Sequence, residues 1–265
     1  MDNFIKILRS FHEGGEDKAF TEDFIGLLKE RVMPGLVTMY EAGIKFKNNR
    51  VILPPPWKSI YEGLKQMGFF KVFVPDEYGG SRTSEENIYF IMELLGYTCP
   101  SLGVIRVAQS RAIDLILGGN DEDQKAKFLP RLREGDFGAI AMTEEKAGSD
   151  VSAIEFSAKP KGDHYIFNGQ KIFVSNAGLA GIYTLLVNTK GRKGARSLST
   201  FVVDRELEGF RVEVLPEKDG LKILPTGKLI YEDSVVPKEN LIGGEGRGLL
   251  LALEAIDKGR IFLAG

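Results

Sequence analysis

The sequence has a single cysteine, Cys99, so no disulfide can close within the chain, and a reducing compartment such as the cytoplasm is expected. Its two histidines, His12 and His164, stand apart, and no His, Cys, Asp or Glu cluster has metal-ligand spacing. Neither sign of charge dominates: 35 basic residues face 37 acidic ones, for a formal net charge of −2. That balance supplies no general field for nucleic acid or an anionic membrane surface. No apolar run approaches the length a bilayer requires, so no membrane insertion is expected. The amino-terminal stretch MDNFIKILRSFHEGGED carries Asp2, Glu13, Glu16 and Asp17, unlike a secretory signal or an acid-poor transit peptide. Repeats and low-complexity segments are lacking, as are phosphate-loop and GxGxxG dinucleotide signatures. The glycine-rich GGEGRG of residues 243–248 does not lead from a buried strand into a fingerprint helix and reads as a loop.

What is present divides by period. At 265 residues the chain has room for two ordinary domains, each with its own core. In the first half, apolar residues recur at helical spacing in several runs: Phe4, Ile7, Leu8 and Phe11; Phe24, Leu27, Leu28 and Val32; and Trp57, Ile60, Tyr61, Leu64 and Met67. Pro54, Pro55 and Pro56 precede the third run, where missing N–H groups cost little. Thr83 and Glu86 have capping-box spacing ahead of Ile88, Phe90, Ile91, Leu94 and Leu95. NDEDQKAKFLPRL has acids in front and bases behind, as a helix dipole favours, and Pro130 is expected to kink or end that helix early. Beyond residue 150 the period becomes two: Ile154, Phe156 and Ala158 alternate with polar residues, as do Tyr165 and Phe167. Asn168-Gly169 is predicted as a hairpin turn. GIYTLLVN, LSTFVVD, FRVEVLP and KLIYEDSVV are further strand candidates, together predicting a small antiparallel barrel or sandwich. GLLLALEAIDKGRIFLAG returns to a helical pattern that is apolar on more than one face, as a buried helix would be.

Between the halves lies MTEEKAGSDVS, residues 142–152, which combines two acids, small residues and an aspartate with no hydrophobic anchor of its own. Such a segment is either a solvated connection or a backbone presented to a ligand, since glycine lets N–H groups approach an anion closely. Phe173 and Ser175, on one face of a strand pattern, are likewise either ordinary β-domain residues or part of the same site.

The segments GFFKVFVPDEYGG, DEDQKAKFLPRL, AMTEEKAGSD, YIFNGQKIFVSNAG, VVPKENLIGGEGRG and LEAIDKGR, in this order and spacing, resemble the acyl-CoA dehydrogenase family along essentially the whole chain. The resemblance implies an α+β multidomain protein: a helical amino-terminal domain over 1–137, an antiparallel β-domain over 138–242, and over 243–265 the first helix of a carboxy-terminal helical domain. It implies FAD as cofactor, held along residues 140–149 with Ile140, Met142, Thr143, Gly148 and Ser149 as contacts. Thr143 matches the threonine that hydrogen-bonds the flavin ring; Gly148 and Ser149 match residues near the pyrophosphate and the thioester. Phe173 matches an aromatic, usually tryptophan, that flanks the isoalloxazine, with Ser175 beside it. For the acyl-CoA substrate it implies Ser149, Asp257 and Arg260, the last two matching residues near the pantetheine and nucleotide, although they also fit an ordinary charged helix face.

Departures from the family pattern shape the functional expectation. Relatives usually carry proline and glycine where Glu145 and Lys146 stand. The catalytic glutamate of relatives lies in the carboxy-terminal domain or at the position of Gly259, which has no side chain, so no catalytic residue is assigned. Glu254 is offset by more than one helical turn and faces elsewhere. GLKILPTGKLIYEDS keeps only Thr226 of the pattern that contributes to the substrate side in several relatives. The implied function is a flavin-binding subunit or fragment of an acyl-CoA dehydrogenase-like oxidoreductase, inactive alone. A separate chain is expected to supply the base and cover the terminal helix, or failing that self-association, with an electron-transfer protein as acceptor. The alternatives are a non-catalytic relative that keeps the fold, or a flavin monooxygenase or nitroalkane-oxidase type.

Overall fold

A computed structural model describes residues 5–6, 18–215 and 218–264. Phe4, Ile7, Leu8 and Phe11, together with His12, lie outside the described residues. Helix α1, Lys18–Leu27, passes through a π-helical turn at Leu28–Val32 into α2, Met33–Ala42. Phe24, Leu27, Leu28 and Val32 are all buried along it. A short hairpin follows, β1 Lys45–Lys47 and β2 Arg50–Ile52. Helix α3, Pro55–Gln66, carries prolines in its first turn, where no intrahelical N–H is needed. Its Trp57, Ile60 and Leu64 are buried.

Helix α4, Glu85–Thr98, is capped by Ser84, whose side chain accepts from the Asn87 N–H at 3.2 Å. Thr83 is therefore not the cap; its hydroxyl accepts from the Asn87 side chain at 3.0 Å, because the chain turns into the helix one residue later. Helix α5, Pro100–Leu117, is the central rod of the helical layer. Helix α6, Glu122–Arg133, begins at Asp121, whose side chain caps the Gln124 N–H at 3.0 Å. Pro130 does not end it: the helix runs on to Arg133, held by buried Phe128, Leu129 and Leu132, and the proline forfeits only one hydrogen bond near the last turn.

The remaining strands form one eight-stranded sheet: β3 Gly138–Ala141, β4 Ser157–Lys161, β5 His164–Ser175, β6 Ile182–Asn188, β7 Leu198–Asp204, β8 Phe210–Val214, β9 Thr226–Pro237 and β10 Leu241–Ile242. The order is β10-β7-β6-β4-β5-β9-β8, with β3 paired to β6. Of the expected antiparallel barrel or sandwich, the closed barrel is corrected here. The sheet does not close, and β3 and β4 both run parallel to β6. Its β8 edge is covered instead of joined: Asn49, in the β1–β2 turn, accepts from the Val212 N–H at 3.1 Å and donates to the Phe210 carbonyl at 3.3 Å.

Asn168-Gly169 is also corrected. The β4–β5 turn lies at Gly162 and Asp163, between the paired Lys161 and His164, whereas Asn168 and Gly169 sit inside β5 at a bulge opposite Asp233. The same tolerance of positive φ serves a bulge as well as a turn. Asn168 donates to the Asp233 carboxylate and accepts from the Asp233 N–H, each at 2.9 Å, while Asp233 takes φ 50°. At Gly169, φ 150°, a Cβ would come within 2.7 Å of the Phe156 ring.

Helix α7, Gly248–Ala264, buries Leu251, Ala252, Ala255 and Gly259 against α5 and the sheet. Leu250, Leu253 and Ile261 on its far side are about half exposed, at 45–61%. Helices and sheet meet at α5, which packs on β3, β5 and β6 as well as on α7. Phe137, entering β3, packs its ring against Trp57, Tyr61 and Phe70 at centroid distances of 6.3, 5.9 and 5.7 Å. Deeper in, Asn176 is fully buried at the end of β5 and donates to the carbonyls of Ile105 and Gly138, both at 2.9 Å.

Candidate active site

A slot of about 260 Å³ opens where α5, α7 and the sheet converge. Helix α5 contributes the row Val104, Val107, Ala108 and Arg111, spaced so that one face points inward; α7 contributes Ile256 and Leu263. The third wall is the end of β3 with the residues after it, Ile140, Met142 and Thr143, alongside the end of β5 from Ile172 to Ser175. At this volume the slot, slightly below the roughly 300 Å³ at which ligand pockets for drug-sized molecules begin, accommodates a ring system or short chain and not a whole dinucleotide.

Local chemistry explains why this wall has its shape. The Ile172 N–H donates to the Thr143 carbonyl at 2.8 Å. The wholly buried Lys171 ammonium donates to the Met142 carbonyl at 3.0 Å and to the Glu144 carboxylate at 2.7 Å. Glu144 also accepts from the N–H groups of Glu155 at 2.8 Å and Phe156 at 3.1 Å. Burial pushes the Lys171 ammonium down to about 8, with Glu144 pulling the other way. One carboxylate thus joins the segment after β3 to β5 and to the approach of β4. Glu145 and Lys146 form the exposed tip of a tight turn closed by reciprocal Glu144–Ala147 backbone bonds of 3.0 and 3.2 Å.

Phe173 breaks two rules at once. It has φ 55°, costly for an aromatic residue, and 64% of its surface is exposed at the rim of the slot. The β5–β9 register shifts between Lys171 and Val174, and this kink turns the ring outward. Among the described residues none packs that ring into a core.

The structure thus brings Ile140, Met142, Thr143, Phe173 and Ser175 together on one wall. It does not bring Gly148 and Ser149 into the slot: both are exposed in the loop beyond the turn, before Asp150 caps a short 3₁₀ turn at Val151–Ala153. A Cβ on Gly148 would meet nothing of the protein within 4 Å, so internal packing does not require glycine there. Asp257 and Arg260 pair with each other at 3.8 Å on the solvent side of α7, with side chains 73% and 72% exposed. Thr226 lines a different hollow, where it accepts from Lys218 at 2.9 Å. Glu254 is exposed, and among the described residues lining the slot none is an acid.

Arg111 escaped the sequence reading. Its signal was present: VIRVAQSRAIDLIL places two arginines, Arg106 and Arg111, in an otherwise largely apolar helix. Periodicity alone did not show that one of them borders a cavity.

A planar heteroaromatic ligand fits these residues: an exposed aromatic at the rim, apolar walls, and hydroxyls at Thr143 and Ser175 for its polar edge. A helical layer on a bulged, open sheet, with such a slot at their junction, defines an acyl-CoA dehydrogenase-type architecture. Residues 15–136 match the acyl-CoA dehydrogenase N-terminal domain and residues 139–234 the acyl-CoA dehydrogenase middle domain. The chain belongs to the acyl-CoA dehydrogenase family. It is 36% identical over 208 residues to the short-chain specific acyl-CoA dehydrogenase of Clostridium acetobutylicum, covering 77% of this chain and 55% of that protein. The acyl-CoA dehydrogenase of Geobacillus kaustophilus superposes with TM-score 0.81 at 30% identity, covering 94% of this chain and 63% of the other. An acyl-CoA dehydrogenase of Bacillus anthracis solved with FAD gives TM-score 0.80 at 26% identity, covering 94% and 42%. The chain spans about half the length of the curated relatives it matches.

Proposed function

We propose that this chain holds FAD against the slot as part of an oxidoreductase that removes hydrogen from the α and β carbons of an acyl-CoA thioester. One observation carries the reading: a strained, solvent-facing Phe173 stands beside the Thr143 and Ser175 hydroxyls at the mouth of an apolar slot. When bound, FAD supplies the hydride acceptor. Phe173 provides an apolar wall for the ring, while Thr143 and Ser175 orient its polar edge through hydrogen bonds. The side chains of α5 and α7 exclude water from the acyl group, which favours abstraction of a weakly acidic α-proton by a nearby carboxylate.

That carboxylate is not among the described residues lining the slot, and Gly259 offers none. In this reading a second polypeptide supplies it and docks on the half-exposed apolar side of α7, at Leu250, Leu253 and Ile261. The divisions 1–137, 138–242 and 243–265 are its three parts. An electron-transfer protein reoxidises the flavin, in the cytoplasm. Among the described residues no helix is long and apolar enough to cross a membrane. The missing acid equally favours a second reading, a relative that binds flavin and thioester without chemistry.

The test is to purify the chain, reconstitute it with FAD and add short saturated acyl-CoA thioesters while following visible flavin absorbance. Bound flavin with slow or no bleaching is expected, and rapid turnover by this chain alone would refute the missing-base claim. Light scattering provides the check on the partner: a monodisperse monomer with α7 ordered removes the need for one. Bleaching that remains absent once a partner covers α7 selects the second reading.

A further inference from the structure

The slot is apolar along both helices except at one position. Val104, Val107 and Ala108 are followed on the same face of α5 by Arg111, whose Nε is buried and has no hydrogen-bond partner among the described residues. An arginine whose Nε is buried without a partner carries an unmet donor that an anion in the slot would satisfy.

The neighbouring acid does not fill that role. Asp114, three residues further along α5, is held between several cations: Lys258, Arg82 and Arg106 all act on it besides Arg111. Arg106 is itself fully buried, with Nε, Nη1 and Nη2 unpartnered and its guanidinium stacked 3.2 Å from the centroid of the Phe73 ring. Glu85, the other acid near Asp114, lies 3.8 Å from Arg82. Positive charge therefore exceeds negative charge at this end of the slot. Burial lowers the affinity of Arg111 for its proton, yet a guanidinium stays charged in proteins.

The opposite wall makes room for this cation. A Cβ on Gly259 would lie 2.7 Å from Arg111 Nε and 3.2 Å from its Cγ. The bare glycine of α7 and the arginine of α5 are thus spatially coupled: the space that a side chain at 259 would take belongs to the guanidinium.

We propose that Arg111 is the specificity determinant of this slot and selects acyl groups whose far end carries a carboxylate, that is, monothioesters of short dicarboxylic acids. The inference rests on the reading of the slot as an acyl-CoA site. A terminal carboxylate meets the guanidinium fork with charge-assisted hydrogen bonds, while the methylenes between it and the thioester lie along Val107, Ala108 and Ile256.

The experiment is calorimetric titration of the FAD-reconstituted chain with two thioesters of equal length, glutaryl-CoA and pentanoyl-CoA. It is repeated on Arg111→Met, which keeps the length of the stem, and on Arg111→Lys, which keeps the charge. Wild type is expected to bind the glutaryl thioester at least roughly tenfold more tightly; Arg111→Met abolishes or inverts that preference, and Arg111→Lys retains part of it. Flavin retention is expected to be the same in all three. Equal or weaker binding of glutaryl-CoA by wild type overturns the inference and leaves the acyl-CoA reading intact, a result that does not depend on either variant folding. A preference unchanged in folded Arg111→Met, or loss of flavin from that variant without a change in preference, overturns it too. Failure to bind either thioester removes the acyl-CoA reading together with the inference.

Discussion

Replacing Asn176 by aspartate should be among the most damaging single-atom exchanges this chain can undergo. Asn176 has no exposed surface, and its Nδ2 donates to Ile105 of α5 and Gly138 of β3, both at 2.9 Å, while its own N–H reaches the Pro225 carbonyl at 2.9 Å. Asn176→Asp is nearly isosteric but turns the doubly donating amide into an oxygen facing two carbonyl oxygens. Two hydrogen bonds are lost, about 1–3 kcal/mol, and a buried unpaired charge brings the total to roughly 4–6 kcal/mol. Asn176→Ala loses the same bonds without burying charge, and adds about 1 kcal/mol because φ 64° suits alanine poorly, for a total of roughly 2–4 kcal/mol. The aspartate can relieve its strain by protonating and donating to one carbonyl, so its folded pKa lies above its unfolded one. The folded state then binds more protons than the unfolded state between those two values, and stability falls as pH rises through that window. Urea unfolding followed by circular dichroism at pH 4.5 and pH 8 measures both effects. The aspartate deficit should exceed the alanine deficit at pH 8 and narrow at pH 4.5. An aspartate variant within about 1 kcal/mol of wild type at pH 8 would refute the assignment of these bonds as the tie between helices and sheet.

Glu144→Gln leaves the buried Lys171 ammonium without its counter-charge and should cost roughly 2–4 kcal/mol in urea unfolding, together with weaker flavin retention. Thr143→Ala and Ser175→Ala each remove a hydroxyl from the slot, a loss of about 0.5–1.5 kcal/mol that should raise the FAD dissociation constant severalfold in fluorescence titration; unchanged affinity in both excludes them as contacts. Phe173→Ala keeps the positive φ and deletes a mostly exposed ring, so unfolding free energy should move by less than about 1 kcal/mol while FAD binding weakens; a large stability loss would make the ring a core residue instead.

Much of the architecture follows from local pattern. Apolar spacing located α1, α3 and α4, charge order located α6, and alternation located β4 and β5, because a helix or strand that buries one face must repeat at its own period. The errors came where one local signal serves two structures. Asn168-Gly169 supplies positive φ equally well to a turn or a bulge, and only pairing with Asp233 across β9 selects the bulge. Ser84 and Thr83 both can cap, and the entry angle of α4 selects Ser84. Sheet closure depends on the edges, and the β1–β2 turn occupies one of them through Asn49. Within the site, the resemblance pointed to Thr143 and Ser175 from motif alone, yet their meeting on one wall depends on the Ile172–Thr143 backbone bond and the Lys171–Glu144 pair. Arg111 and Gly259 are far apart in sequence, and neither residue alone reveals that one occupies the other's space. Sequence by itself determined which segments bury which faces, since hydrophobic burial is a property of periodicity. The tertiary structure decided which polar groups face each other across the slot, because contacts between distant segments arise only when the packed layers bring them together.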